Sequence, residues 1–297
     1  MPRSVPVVQV DAFTARPFSG NPAGVVLDAD ELSILDMQRI AAEMNLSETA
    51  FVSRVDGPGS GLRLRWFTPT GYEVAFCGHA TVATVHALRE SGGLRENRIT
   101  FETAGGPLAV QVEPHGARIM IWLEPALPRC SGYTGELGDV LAALGIATLG
   151  GWARPALTSE GDLLVPMPAL APLRRLAPDL GALSRAAAAE KLRGICAVAL
   201  EGVDPDSKTH SRFFAPHLGV AEDPVTGSVH AALPIWLRQA GRLAGDGEVI
   251  RFTAEQGDGL GRPGRLAVEL SVERGCPARV RVGGEAVTTL TGRLRLD

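Results

Sequence analysis

The alternation of apolar and polar positions changes period many times along this chain. Residues 5–11 are rich in valine and alternate in part, which predicts a strand. A loop carrying Pro17, Gly20 and Asn21 follows, and Asn21-Pro22-Ala23-Gly24 leads into a second strand at 25–28. Leu35, Ile40 and Met44 are among the apolar positions of a helix that Ser33 or Asp36 can cap. Residues 50–55 and 62–67 read as strands joined through a Gly/Pro turn at 56–61, a hairpin. Residues 80–88 are apolar on nearly every side, with only Thr81, Thr84 and His86 interrupting. Such a helix is buried all round, so the neighbouring strands must wrap it. Strand-like runs at 99–103, 108–113 and 118–123 precede Pro125 and Pro128, where the pattern breaks.

The second half opens with helical patterns at 137–144 and 180–192 and extended ones at 163–167 and 196–201. A polar turn at 202–207, a strand at 210–214 and a helix at 227–240 come next, and Pro234 should kink that helix. Strands at 249–256, 266–272, 279–282 and 286–296 complete it. The two halves echo one another. Gly78 and Gly227 are 149 positions apart, as are Gly92 and Gly241. Arg65-Trp66-Phe67-Thr68-Pro69 matches Arg212-Phe213-Phe214-Ala215-Pro216, and Ile99-Thr100-Phe101 matches Ile250-Arg251-Phe252. Shared order and spacing predict the internal duplication of a domain-sized unit.

Composition narrows the function classes. A length of 297 residues suits two domains, and 45% hydrophobic with 21% charged residues is ordinary for a globular protein. The net charge of −4 shows no basic stripe, which argues against nucleic acid or an acidic membrane surface as partner. No apolar segment reaches the roughly 18–20 residues of a membrane helix. Met1-Pro2-Arg3-Ser4 runs directly into a strand, and the four cysteines form no C-x-x-C pair, so a cytoplasmic protein with reduced thiols is expected.

The candidate chemistry sits at two helix starts. Glu222-Asp223-Pro224-Val225-Thr226-Gly227-Ser228 runs into one buried helix and Cys77-Gly78-His79 into the other. The first N–H groups of a helix lack internal partners and carry partial positive charge, so small residues there can cradle a carboxylate. Taken singly, Asp223 could be a turn or capping carboxylate, and Cys77 reads as a small buried residue rather than a nucleophile. Cys77-x-His79 lacks further spaced ligands, so no metal is expected. The Gly257–Gly264 stretch reads as a surface turn without the spacing of a phosphate loop.

Asn45-Leu46-Ser47-Glu48-Thr49-Ala50-Phe51, Cys77-Gly78-His79-Ala80-Thr81 and the 222–228 stretch together resemble the phenazine-biosynthesis PhzF-like family, and Asp11-Ala12-Phe13 with Gly20-Asn21-Pro22-Ala23 fits it too. The resemblance covers essentially the whole chain. It implies the α+β diaminopimelate epimerase-like fold: two similar domains, each a mostly antiparallel sheet wrapped around a central helix, with both helix N-termini aimed into a shared cleft. The expected first domain is 1–124, joined by a C-terminal strand at 285–297, and the second is 125–284. The resemblance further implies a homodimer that uses no cofactor and no metal.

By the same resemblance the activity is an isomerisation like that of trans-2,3-dihydro-3-hydroxyanthranilate, in which a carboxylate takes a proton from one ring carbon and a proton returns to another. Matched motif by motif, the catalytic residues are Glu48, His79 and Asp223. Gly78, Thr226, Gly227 and Ser228 would bind a small-molecule carboxylate. Diaminopimelate epimerase-type relatives use two thiols, each before a glycine at a helix start. Here the second such position is Thr226, whose hydroxyl is far too weak an acid, so a two-thiol mechanism is not expected. Epimerisation through Glu48 or Asp223, and binding of a carboxylate without turnover, are the competing readings.

Overall fold

The structure, a computed structural model, describes residues 3–55, 61–245 and 249–296. Its Val-rich start forms β1 (Ser4–Ala12), antiparallel to β2 (Asn21–Val26). The second strand begins four residues before the place expected from sequence, because Asn21 and Pro22 already pair with Ala12 and Asp11. Both candidate caps of α1 (Ile34–Met44) take part. The Ser33 hydroxyl accepts the Asp36 N–H while the Asp36 carboxylate accepts the Ser33 N–H, a reciprocal capping box. Asn45, at φ 49, ends the helix in the left-handed region that asparagine tolerates.

β3 (Thr49–Arg54) runs parallel to β2 and antiparallel to β4 (Leu62–Phe67). The turn expected at 56–61 lies, apart from Gly61, outside the described residues. The two-residue β5 (Glu73–Val74) folds back on β4. Then come α2 (Gly78–Glu90), β6 (Arg98–Thr103) parallel to β4, and an antiparallel meander of β7 (Gly106–His115) and β8 (Arg118–Leu123). Helix α2 packs on β1, β2, β3 and β8 and buries ten of its thirteen residues. Its buried threonines are satisfied locally: Thr81 and Thr84 donate to the carbonyls of Cys77 and Ala80, four residues back. Left unpaired, each hydroxyl would cost about 1–3 kcal/mol.

The later residues repeat this scheme. β9 (Cys130–Gly132), α3 (Gly138–Leu144), β10 (Ala156–Thr158), β11 (Asp162–Pro166), α4 (Leu170–Arg174) and α5 (Leu180–Ala189) lead to β12 (Gly194–Ala199), β13 (Ser207–Ala215) and β14 (Val220–Asp223). α6 (Gly227–Gln239), β15 (Val249–Gln256), β16 (Gly264–Glu273), β17 (Cys276–Gly284) and β18 (Ala286–Arg295) follow. β11 and β12 are parallel, β12 and β13 antiparallel, β13 and β15 parallel, and β15 and β16 antiparallel. That is the order found for β2, β3, β4, β6 and β7. The short strands β13–β14 also mirror β4–β5.

The chain divides into two compact units: Met1–Glu124 with Gly283–Asp297, and Pro125–Val282. β18 pairs with β1 along its length, which ties the C-terminal segment to the first unit. In the second unit β12 is buried at all six positions. One of its faces meets Leu144, Leu163, Leu183 and Phe214; the other meets Val229, Leu233 and Trp236 of α6. A strand covered on both faces reads as a continuous apolar run, which Gly194–Ala199 is. α6 continues through Pro234 to Gln239, and α5 stops three residues short of the predicted end, with Lys191 in the left-handed region at φ 55. No helix among the described residues is long and apolar enough to cross a membrane.

Candidate active site

Each unit presents a polar cluster at the start of its buried helix. In the first, Cys77 is the N-cap of α2 and makes no side-chain capping bond. His79, one turn into the dipole's positive end, is 6% exposed. Its Nδ1 lies 3.6 Å from Cys77 Sγ, and its Nε2 lies 3.3 Å from Glu48 Oε2. Glu48 immediately precedes β3, and its carbonyl accepts the Gly24 N–H, which fixes its backbone against β2. Gly24 also has to be small, since an added Cβ would sit 2.8 Å from Thr49 Oγ1.

Burial pushes the His79 imidazole down to about 4, so it is neutral at pH 7. The adjacent carboxylate acts in the opposite sense, and burial wins. A neutral ring carries one proton between a thiol and a carboxylate. His79 Nε2 is buried without a hydrogen-bond partner, and catalytic contacts are commonly long before substrate binds. The three side chains could also offer atoms to a metal within 4.8 Å of one another. Here, however, the thiol and carboxylate stand beside opposite nitrogens of one ring. That arrangement puts the imidazole between the thiol and the carboxylate.

In the second unit Asp223 ends β14 and Thr226 caps α6. The Thr226 hydroxyl donates to Asp223 Oδ2 at 2.5 Å. Its backbone N–H donates to Gln256 Oε1. Both groups of Thr226 make hydrogen bonds within the protein. Gly227 and Ser228 form the first turn, and Ser228 Oγ accepts a hydrogen bond from Arg193 Nη2 at 2.8 Å. The same nitrogen pairs with the carboxylate of Asp162, which is fully buried. The stretch expected to be a mere surface turn is structural. An added Cβ on Gly257 would meet the Pro224 carbonyl at 2.6 Å, and one on Gly264 would meet Val225 Cγ2 at 2.2 Å.

Sequence reasoning passed over Arg193, Asp162 and Gln256, and it made no assignment for His230. His230 lies one turn into α6 with no exposed surface, and burial brings its imidazole down to about 4. Its Nδ1 faces the Thr226 carbonyl, which can only accept, so Nδ1 carries the proton; Nε2 lies 3.2 Å from the Ser211 hydroxyl, which donates to the Glu255 carbonyl. A second acidic cluster, His210, Glu255 and Asp258, is internally balanced by Arg265. Burial alone would raise Glu255, but hydrogen bonds from His210 and from the amides of Asp204 and Val203 hold it at about 2.

These buried histidines set a pH dependence. Both have folded values near 4 against an ordinary 6.5 for an exposed imidazole, so the unfolded chain takes up their protons first. The stability they contribute is therefore complete above pH 6.5 and lost as pH falls toward 4. The expected loss is about 3 kcal/mol per histidine, an upper figure. Urea midpoints from pH 8 to pH 4.5 should fall most steeply in that window. In His230→Asn the fall should be roughly halved; an unchanged slope would refute this origin.

The duplication is also written in charge. Arg65 makes a two-pronged pair with Glu73, at 2.8 and 2.7 Å, and Arg212 does the same with Glu222, at 2.8 Å twice. Each guanidinium also lies 5.1 Å from the ring of the phenylalanine two residues on, Phe67 and Phe214. The arginine braces the short return strand that precedes each helix start.

Comparison with known proteins agrees with this architecture. The family model described as PhzC-PhzF, phenazine biosynthesis-like protein, matches residues 10–292. An uncharacterized isomerase of Pseudomonas aeruginosa is 41% identical over 294 residues, covering 97% of this chain and 98% of that protein. One from Clostridium acetobutylicum is 33% identical over the full length of both. The crystal structure of a PhzF-family phenazine biosynthesis protein from Bacillus anthracis superposes with a TM-score of 0.87 at 29% identity, covering 99% of this chain and all of that one.

Proposed function

The chain belongs to the phenazine biosynthesis-like PhzC-PhzF family of isomerases, and from that premise we propose that it moves a proton between carbons of a small, cyclic carboxylate by general acid–base catalysis. The observation that carries the reading is the Glu48–His79 pair at the head of α2. The neutral imidazole stands beside Glu48 at 3.3 Å and can take up or give a proton there. The Glu48 carboxylate is the base that accepts a carbon-bound proton. As the C–H bond breaks, its electrons enter the adjacent double bond, which shifts. Glu48, now protonated, returns a proton to the far carbon and regains its charge. Proton transfer by a positioned carboxylate contributes about 10²–10⁴-fold to rate.

The first amides of a helix and its dipole suit a carboxylate, so Gly78, Gly227 and Ser228 are assigned to substrate binding. Asp223 is assigned to hold a polar substituent of the substrate and to assist proton transfer. Two thiols are not needed for this chemistry, which accords with Thr226 standing at the place matching Cys77. The test is turnover of trans-2,3-dihydro-3-hydroxyanthranilate against a panel of amino and cyclic carboxylic acids, followed by nuclear magnetic resonance of the product. A shifted ring double bond supports isomerisation. An inverted centre with constitution unchanged would make the protein an epimerase, and saturable binding without product would make it a carboxylate-binding protein.

A further inference from the structure

We propose that Gln256 is a positioning residue for the Asp223–Thr226 turn, one that fixes the direction of the Thr226 hydroxyl proton. Its importance for catalysis rests on the functional reading above; its hold on the turn does not. Gln256 is fully buried at the end of β15. Both ends of its amide are used on one four-residue segment. Oε1 accepts from the Thr226 N–H at 3.2 Å, while Nε2 donates to the Asp223 carbonyl at 2.7 Å and to Thr226 Oγ1 at 3.1 Å.

Hydrogen-bond polarity then decides the rest. A backbone N–H can only donate, so the atom facing it is the amide oxygen, and the amide nitrogen is turned to the hydroxyl. Nε2 can only donate, so Thr226 Oγ1 is its acceptor. The single hydroxyl proton is left for Asp223 Oδ2, where the 2.5 Å contact lies. Asp223 is thereby held in place by a donor and presents its carboxylate as an acceptor. The flanking glycines complete the seat: Gly257 and Gly264 are the places where a Cβ would strike Pro224 and Val225.

Among its described residues the first unit shows no such device. β13 pairs Ser211 with Gln256, and β4 pairs Arg63 with Glu102. With Arg65 matching Arg212, strand pairing puts Thr103 at the place of Gln256, and the match of residues 99–101 with 250–252 puts Gly105 there; neither is a glutamine, and the Thr103 hydroxyl donates instead to the Gly106 carbonyl. The glutamine belongs to the Asp223 side alone, where the helix cap is a threonine whose proton needs a direction.

The experiment uses the full chain with Gln256→Met, which keeps length and volume, and Gln256→Glu at pH 8, where the added carboxylate cannot donate. Amide hydrogen exchange is followed by nuclear magnetic resonance, and turnover of trans-2,3-dihydro-3-hydroxyanthranilate is followed in parallel. In Gln256→Met, which lacks the acceptor, exchange at Thr226 should quicken by about tenfold or more, while the α6 interior at 231–237 stays unchanged; Gln256→Glu keeps the acceptor for the Thr226 N–H and loses only the donor to the Asp223 carbonyl and Thr226 Oγ1. The kcat should fall by about 30-fold or more with KM nearly constant, as misplacement of one group by about 1 Å does. Unchanged exchange at Thr226 in Gln256→Met would overturn the proposal. So would faster exchange with kcat intact, since packing alone would then explain the residue. A wild-type protein inactive on the probe would count against the functional reading only, and the exchange data would still decide whether Gln256 holds the turn.

Discussion

Glu48→Gln should lower kcat for proton transfer by about 10³-fold and leave KM within about threefold. Glutamine keeps the shape and the backbone contacts that seat residue 48 beside β2, but its amide cannot take a proton from carbon. The change is not expected to disturb folding, because the Glu48 side chain is 20% exposed and the neighbouring imidazole is neutral without it. Thermal midpoints of the two proteins should agree within about 2 °C. Steady-state kinetics on any turned-over carboxylate gives the result. A variant with more than about a tenth of wild-type kcat would remove Glu48 from the proton-carrying role.

The second large effect is on stability. Arg212→Met should cost about 3–5 kcal/mol, measured by urea denaturation at pH 7. Arg212 and Glu222 have side chains 10% and 11% exposed, and the guanidinium also reaches the carbonyls of Leu173 and Leu176 at the end of α4. Removing it strands a nearly buried carboxylate and two acceptors together. The matching Arg65→Met should cost much less, about 1 kcal/mol, because Arg65 and Glu73 are 21% and 30% exposed and water can replace the lost partner. In the double variant Arg212→Met/Glu222→Met the loss should shrink by half or more. Equal losses at the two arginines would contradict the view that burial, not the shared pairing geometry, sets the cost.

Much of this architecture was legible in the residues. The helices at Gly78 and Gly227 are marked by glycine leading into a mostly apolar run, and burial of α2 and α6 follows from it. The repeat of spacing between the halves is matched by a repeat of strand pairing, parallel and antiparallel in the same places. The short elements β5, β9, β10 and α4 were not legible, because so few positions carry no period, although the five-residue β11 was read from its apolar run. β2 was placed late because Pro22 reads as a breaker, yet it occupies a position in the pairing of β2 with β1 where proline is accommodated.

Within the candidate site the legible residues were those in short motifs: Glu48, His79, Asp223 and Ser228. Arg193, Asp162 and Gln256 reach the α6 start from strands and turns 30 or more residues away, and only folding brings them there. That Asp223 and Gln256 hydrogen-bond Thr226 was not legible either, because the Gln256 contact joins residues 30 apart in sequence.

The central claim is that this protein exchanges a carbon-bound proton through an ionisable side chain at the head of α2. The most direct measurement runs wild type and Glu48→Gln in heavy water with trans-2,3-dihydro-3-hydroxyanthranilate and the carboxylic-acid panel, and reads deuterium at carbon by mass spectrometry. One deuterium per turnover with wild type, and none above background with Glu48→Gln, is the expected result. Equal labelling by both proteins, or no label on any compound that the wild type binds, would contradict the claim.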